Sequence, residues 1–115
     1  MVYYVERQNK YRNIKKTYDG YTYDSMKEAN YAFELDLRKK AGEIKDWERQ
    51  YKLDLRANGI HICNYYVDFK VEYPDGSIQL VEIKGFISPV WQLKVKIMEA
   101  TYLHDHPEVE YLVVK

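Results

Sequence analysis

YYVDFKVEYPDGSIQLVEIKG, residues 65–85, contains two strands and the turn that joins them. β-Branched and aromatic residues recur from Ile60 to Tyr73 and again from Ser77 to Gly85, as a pleated surface favours. Pro74-Asp75-Gly76 suits a three-residue loop, a type I turn begun by Pro74 with Gly76 in the left-handed position. That loop sets Tyr73 across from Ser77. Counting back sets Asp68 across from Glu82 and Tyr66 across from Lys84. Side chains alternate between the two faces of a strand. One face then carries Tyr65, Val67, Phe69, Val71, Val81 and Ile83 as a core face, and the other carries Asp68, Glu82 and Lys84. A two-residue turn at Asp75-Gly76 would instead shift the register by one and put the two acids on opposite faces.

Two carboxylates directly across a sheet repel each other, so a protein that keeps them there needs a cation between them. Carboxylate oxygens suit Mg²⁺ or Mn²⁺ and not zinc. Lys84, two residues beyond Glu82, would lie beside such a metal, where it can orient or activate a water or steady a phosphate oxygen. The combination suits phosphodiester hydrolysis, in which positive charge stabilises the pentavalent transition state. A surface salt-bridge ladder, with Lys84 neutralising both acids, is the structural alternative.

Working outward, Asp19-Gly20 between Lys16-Thr17-Tyr18 and Tyr21-Thr22-Tyr23 favours a tight hairpin. Ser25 followed by Glu28 has the spacing of a capping box and predicts a helix that stops at Gly42. Its apolar stripe is Ala29, Ala32, Phe33, Leu35 and Leu37. Residues 47–56 read as a strand. Ser88-Pro89 starts a second helix that runs to about Leu103, before Pro107, with Val90, Leu93 and Ile97 as its stripe. Trp47 and Trp91, with apolar neighbours, read as core. Val109 to Val114 forms a closing strand, and residues 1–15 form a basic arm. The fold class is α/β: a single domain, residues 1–115, with a mixed central sheet flanked by helices.

The length of 115 residues and the 46% hydrophobic content suit one core without disulfides or a structural metal. Cys63 is the single cysteine and cannot form an internal bridge, so a reduced, cytoplasmic setting is expected. No apolar run approaches the roughly 20 residues that span a bilayer, and the polar, tyrosine-rich start does not read as a signal peptide. The formal net charge is zero, but Arg7, Lys10, Arg12, Lys15 and Lys16 form a basic run without an acid, and Lys94 and Lys96 form a second cluster. Such segregation can hold a phosphate backbone, but on charge alone a solvated tail and an ordinary helix face are the favoured account. Tyrosine occurs 13 times, six of them from Tyr3 to Tyr23, as strand residues, base-stacking rings or a dimer interface. His104 and His106 sit at the end of a helix, and only His61 and Cys63 remain as further zinc ligands, which does not make a zinc site. No glycine-rich phosphate loop is present.

Asp68 followed by Glu82-Ile83-Lys84 resembles the D…(D/E)-x-K signature of the PD-(D/E)XK nucleases. Asn9-Lys10-Tyr11, Lys15-Lys16-Thr17, Asp19-Gly20, Asp24-Ser25, Lys27-Glu28-Ala29, Ala41-Gly42-Glu43-Ile44 and Lys84-Gly85-Phe86 look like the blocks of a small phage and prophage family of resolvase-like endonucleases. The proline that often precedes the catalytic Asp is replaced here by Tyr66-Val67. The resemblance implies a restriction-endonuclease-like core and a catalytic set of Glu28, Asp68, Glu82 and Lys84, with Glu28 joining Asp68 and Glu82 at the metal. Glu28 as a simple helix cap remains the alternative. The resemblance also makes Gln50 a contact to substrate or to metal water, and gives Lys94 and Lys96, with Lys10, Arg12, Lys15 and Lys16, to the DNA. Lys94 lies beside the apolar stripe and is the better candidate to point toward the site. Snorkelling over that apolar surface would place it there equally.

The function expected from this reading is Mg²⁺- or Mn²⁺-dependent cleavage of DNA, with a four-way (Holliday) junction as first substrate. One active site per chain and two symmetric cuts per junction imply a homodimer, with Tyr3–Tyr23 as the candidate interface. A nuclease acting on linear or flapped duplex and a non-catalytic DNA-binding protein of the same fold are the rivals.

Overall fold

The two strands of residues 65–85 lie at the centre of a computed structural model that describes residues 2–5 and 16–115. The chain runs β1 (Val2–Val5), β2 (Thr17–Tyr18), β3 (Tyr21–Thr22), α1 (Met26–Lys40), β4 (Asp46–Ala57), β5 (Ile60–Glu72), β6 (Ile78–Ile83), α2 (Pro89–Ala100), α3 (Tyr102–Asp105) and β7 (Glu110–Val114). The sheet order is β1-β7-β6-β5-β4, with β2 and β3 as a separate two-stranded sheet. β4, β5 and β6 form an antiparallel meander, while β7 joins β6, and β1 joins β7, in parallel. The result is a single α/β domain built on a mixed five-stranded sheet. Residues 2–5 are thus a sheet strand and not part of an arm. Lys10, Arg12 and Lys15 lie outside the described residues.

The hairpin register follows the three-residue loop. Glu72 pairs with Ile78 and Phe69 with Val81, and the Tyr73 N–H donates to the Ser77 carbonyl at 2.9 Å. Gly76 has φ +89°, where a side chain would be strained. At the other hairpin, Asp19 and Gly20 are both left-handed (φ 52° and 77°), as a type I′ turn requires.

α1 packs Ala29, Tyr31, Ala32 and Leu35 on one side of the sheet, against Phe69, Val71, Val81 and Ile83. It starts on Ser25, whose hydroxyl accepts the Glu28 N–H. It ends in a Schellman motif, with Glu43 N–H on the Arg38 carbonyl and Gly42 N–H on that of Lys39. Leu37, expected in the buried stripe, is 39% exposed, because the sheet takes only the neighbouring rows of the helix.

α2 and α3 cover the other side, where Trp91, Val95, Met98 and Leu103 meet Leu53, Leu55, Leu80, Tyr111 and Val113. Three expectations change here. The buried stripe of α2 is Trp91–Val95–Met98, and Val90 and Leu93 face solvent. The single helix to Leu103 is broken at Thr101, whose hydroxyl turns back onto the Ile97 carbonyl at 2.6 Å. Tyr65 and Val67 belong to this second core and not to the face of Phe69 and Val71. The change of side falls opposite Gln50, which has φ 52° between the pairs Arg49↔Phe69 and Tyr51↔Val67. A left-handed residue inside a strand interrupts the two-residue alternation, as a bulge does.

Candidate functional site

Where the β5–β6 ladder stops, its next two rungs are made by side chains. The Ile83 N–H donates to Asp68 Oδ2 at 2.8 Å, and the Asp68 N–H donates to Glu82 Oε2 at 3.2 Å. Asp68 and Glu82 thus take the place of backbone carbonyls, and the strands separate around them. Both are buried, at 9% and 5% exposure. Buried carboxylates are costly unless paired, and the cation at hand is Lys84, with Nζ 3.7 Å from Glu82 Oε1. The Lys84 backbone is held by its own N–H to the Val114 carbonyl at 2.8 Å.

α1 and α2 each bring the third residue of their first turn to this place. From α1 comes Glu28, buried, with Ser25 Oγ 3.4 Å from its Oε1. From α2 comes Trp91, whose ring centroid lies 5.2 Å from Lys84 Nζ. Gln50, left-handed on β4, lies near enough to the Asp68 carboxyl to lower its pKa, against the effect of burial.

The electrostatics follow from burial. Loss of water is the largest cause that pushes the Glu28 carboxyl up to about 7, with the Asp68 and Asp24 charges adding to it. Burial likewise raises Asp68, opposed by the Ile83 N–H and by Lys84. Burial and then the Asp68 charge raise Glu82, opposed by Lys84. Three acids in one place are held back from ionising.

The structure brings together Glu28, Gln50, Asp68, Glu82 and Lys84. Lys94 is half-buried on α2, one turn beyond Trp91, while Lys96 and Lys16 are exposed. Sequence reasoning missed Asp24 and Trp91 as neighbours of the site. Asp24 stands directly before the helix cap, a position that could have suggested it. Trp91 carries no such signal. Among the described residues, no three or more His, Cys, Asp and Glu side chains form a ready-made metal cage. His61 is paired with Asp54, and His104 with Asp105, away from the acids. No described helix is long and apolar enough to cross a membrane.

Comparison with known proteins gives one match. No curated protein and no solved structure matches the chain. A family model described as "Protein of unknown function (DUF1064)" matches residues 8–111, which spans the hairpin, both capped helices and every site residue above, so the chain belongs to the DUF1064 family.

Proposed function

We propose that this protein is a metal-dependent endonuclease that hydrolyses DNA phosphodiester bonds, with Asp68, Glu82 and Glu28 as its acids and Lys84 as its cation. The observation that carries this reading is the buried Asp68–Glu82 pair, facing each other where the hairpin opens. Such a pair is ionised at neutral pH only with positive charge close by, and one lysine is too little for three carboxyls. The oxygen donors fit Mg²⁺ or Mn²⁺, and Asp68, Glu82 and Glu28 are the residues that would hold it. When bound, the ion supplies charge neutralisation at the phosphate and makes water more acidic.

The chain's own residues do the rest. The Ile83 N–H, bonded to Asp68 Oδ2, fixes the orientation of that carboxylate, and Gln50 stands beside it as a polar group for substrate or water. Lys84 offers N–H donors to a non-bridging phosphate oxygen or to the attacking water. In hydrolysis the water oxygen bonds to phosphorus, the bond from phosphorus to the leaving sugar oxygen breaks, and that oxygen takes up a proton while water gives one up.

The four-way junction is the proposed substrate, on the strength of the family resemblance. Two symmetric cuts call for a dimer. Tyr18, Tyr21 and Tyr23 pack within the chain, against Phe33, each other and Phe69. Tyr3 and Tyr4, half-exposed on the edge strand β1, remain for an interface. The test is to offer the protein labelled four-way junction, flap and linear duplex, with and without Mg²⁺. Paired, Mg²⁺-dependent nicks in the junction are expected. Equal cutting of all three would remove the junction preference, and no cutting of any would remove the nuclease.

A further inference from the structure

A chain of polar contacts runs through the apolar core directly beneath Lys84. The Trp91 indole N–H donates to the Tyr65 hydroxyl at 2.8 Å, and the Tyr65 and Tyr111 hydroxyls are 2.8 Å apart. All three side chains are buried, and they come from α2, β5 and β7. A core built of Leu, Val and Met gains little from hydroxyls and an indole N–H, because each must find a partner or lose its bond to water. What these contacts do achieve is to fix the plane of one ring. Indole rotation about its own bonds would break the bond to Tyr65, and Tyr65 is itself tied to Tyr111 on β7, on the far side of β6.

Lys84 stands over that ring, 5.2 Å from its centre, within cation–π range. Its strand has ended at Ile83, and the backbone bond to Val114 fixes where the side chain starts but not where its long, flexible end lies. The carboxyls of Glu82, Asp68 and Glu28 attract the ammonium without fixing its position, because charge attraction is not directional. Seated on the indole face, it stays 3.7 Å from Glu82.

We infer that Trp91, locked by the Tyr65–Tyr111 hydroxyl pair, is a positioning residue that holds the Lys84 ammonium on Glu82. The inference rests on the nuclease reading for its kinetic consequence, but not for its structural one. A misplacement of about 1 Å at a reacting group can cost on the order of 100-fold in rate. Ground-state DNA binding, spread over many phosphates, does not depend on it.

The test has two arms. In the first, the Lys84 side-chain methylene protons are observed by NMR in metal-free protein. They are expected upfield, shielded by the indole face, and to lose that shift in Trp91→Leu and most of it in Tyr65→Phe. Lys84 resonances at ordinary positions in the wild type would overturn the inference whatever the protein does to DNA. In the second arm, Tyr65→Phe is expected to lower kcat roughly 10- to 100-fold with KM unchanged. It should add little to the loss already caused by Lys84→Met, because both act on one group. Val95→Ala, in the same core but outside the contact chain, controls for simple loosening. An equal fall in kcat for Val95→Ala and Tyr65→Phe, or full multiplicativity with Lys84→Met, would overturn it. Should the wild type cut no DNA, the nuclease reading fails, and the NMR arm alone decides this one.

Discussion

Asp75 and Asp68 are the same residue type at the two ends of one hairpin, and each accepts a backbone N–H. Asp75 takes the Ser77 N–H at 2.9 Å and Asp68 takes that of Ile83 at 2.8 Å. Yet the Ser77 hydroxyl and N–H hold the Asp75 carboxyl below its ordinary range, while burial drives that of Asp68 above it. The hydrogen bond is common to both, so the difference comes from the surroundings. At the turn, water solvates the charge and the bond adds to it. At the open end, burial removes water from the carboxyl, and the Asp24 charge adds to the rise. The turn end holds the hairpin together. The open end keeps ionisable groups in a place where charge is costly, an arrangement that supports the proposed site.

Breaking this contrast at Asp68 should have the largest effect. Asp68→Asn is expected to abolish DNA cleavage, a loss of roughly 1,000-fold or more, while Asp75→Asn leaves the rate unchanged in the same assay. Lys84→Ala should come next, lowering kcat by roughly 100-fold while DNA affinity changes little. A parallel loss of affinity, measured by anisotropy, would make Lys84 a binding residue only.

How much of this was legible in the sequence depended on how local the signal was. Pro74-Asp75-Gly76 carries its turn type in three adjacent residues, so the register of Asp68 against Glu82 could be read. Ser25 and Glu28 declared a helix start, but the place of Glu28 beside Asp68 is tertiary and entered only through resemblance. Asn58-Gly59, both left-handed, makes an equally local turn between β4 and β5. Gln50 was different. Its left-handed backbone falls inside a strand, where no residue type announces it. The stripe of α2 was misphased because Val90 and Leu93 look as apolar as Trp91 and Met98. Only the sheet beneath decides which row is covered.

The contrast can be sharpened by pH. The folded carboxyls of Glu28, Asp68 and Glu82 are raised above their unfolded values, so between about pH 4.5 and at least 7 the folded state holds more protons. Stability of the metal-free protein should therefore fall as pH rises through that window. Glu82→Gln should flatten the fall and raise stability near pH 8 by roughly 1 kcal/mol or more. Denaturant melts at several pH values measure both. Asp75, shifted the other way and fully exposed, should leave the slope unchanged when replaced by Asn. The smallest effect belongs to the turn. Gly76→Ala meets no atom within 4 Å but must hold a positive φ, so it should cost about 1 kcal/mol without altering cleavage.

The central claim is that Asp68 and Glu82 form the metal site of a nuclease. Its most direct test is a Mn²⁺ titration of wild type and Glu82→Gln, with bound Mn²⁺ followed by electron paramagnetic resonance and cleavage of a labelled four-way junction followed in the same samples. The wild type should bind Mn²⁺ and cut in step with it, and the variant, though folded, should do neither. A wild type that binds no Mn²⁺, or a variant that cuts at the wild-type rate, would contradict the account.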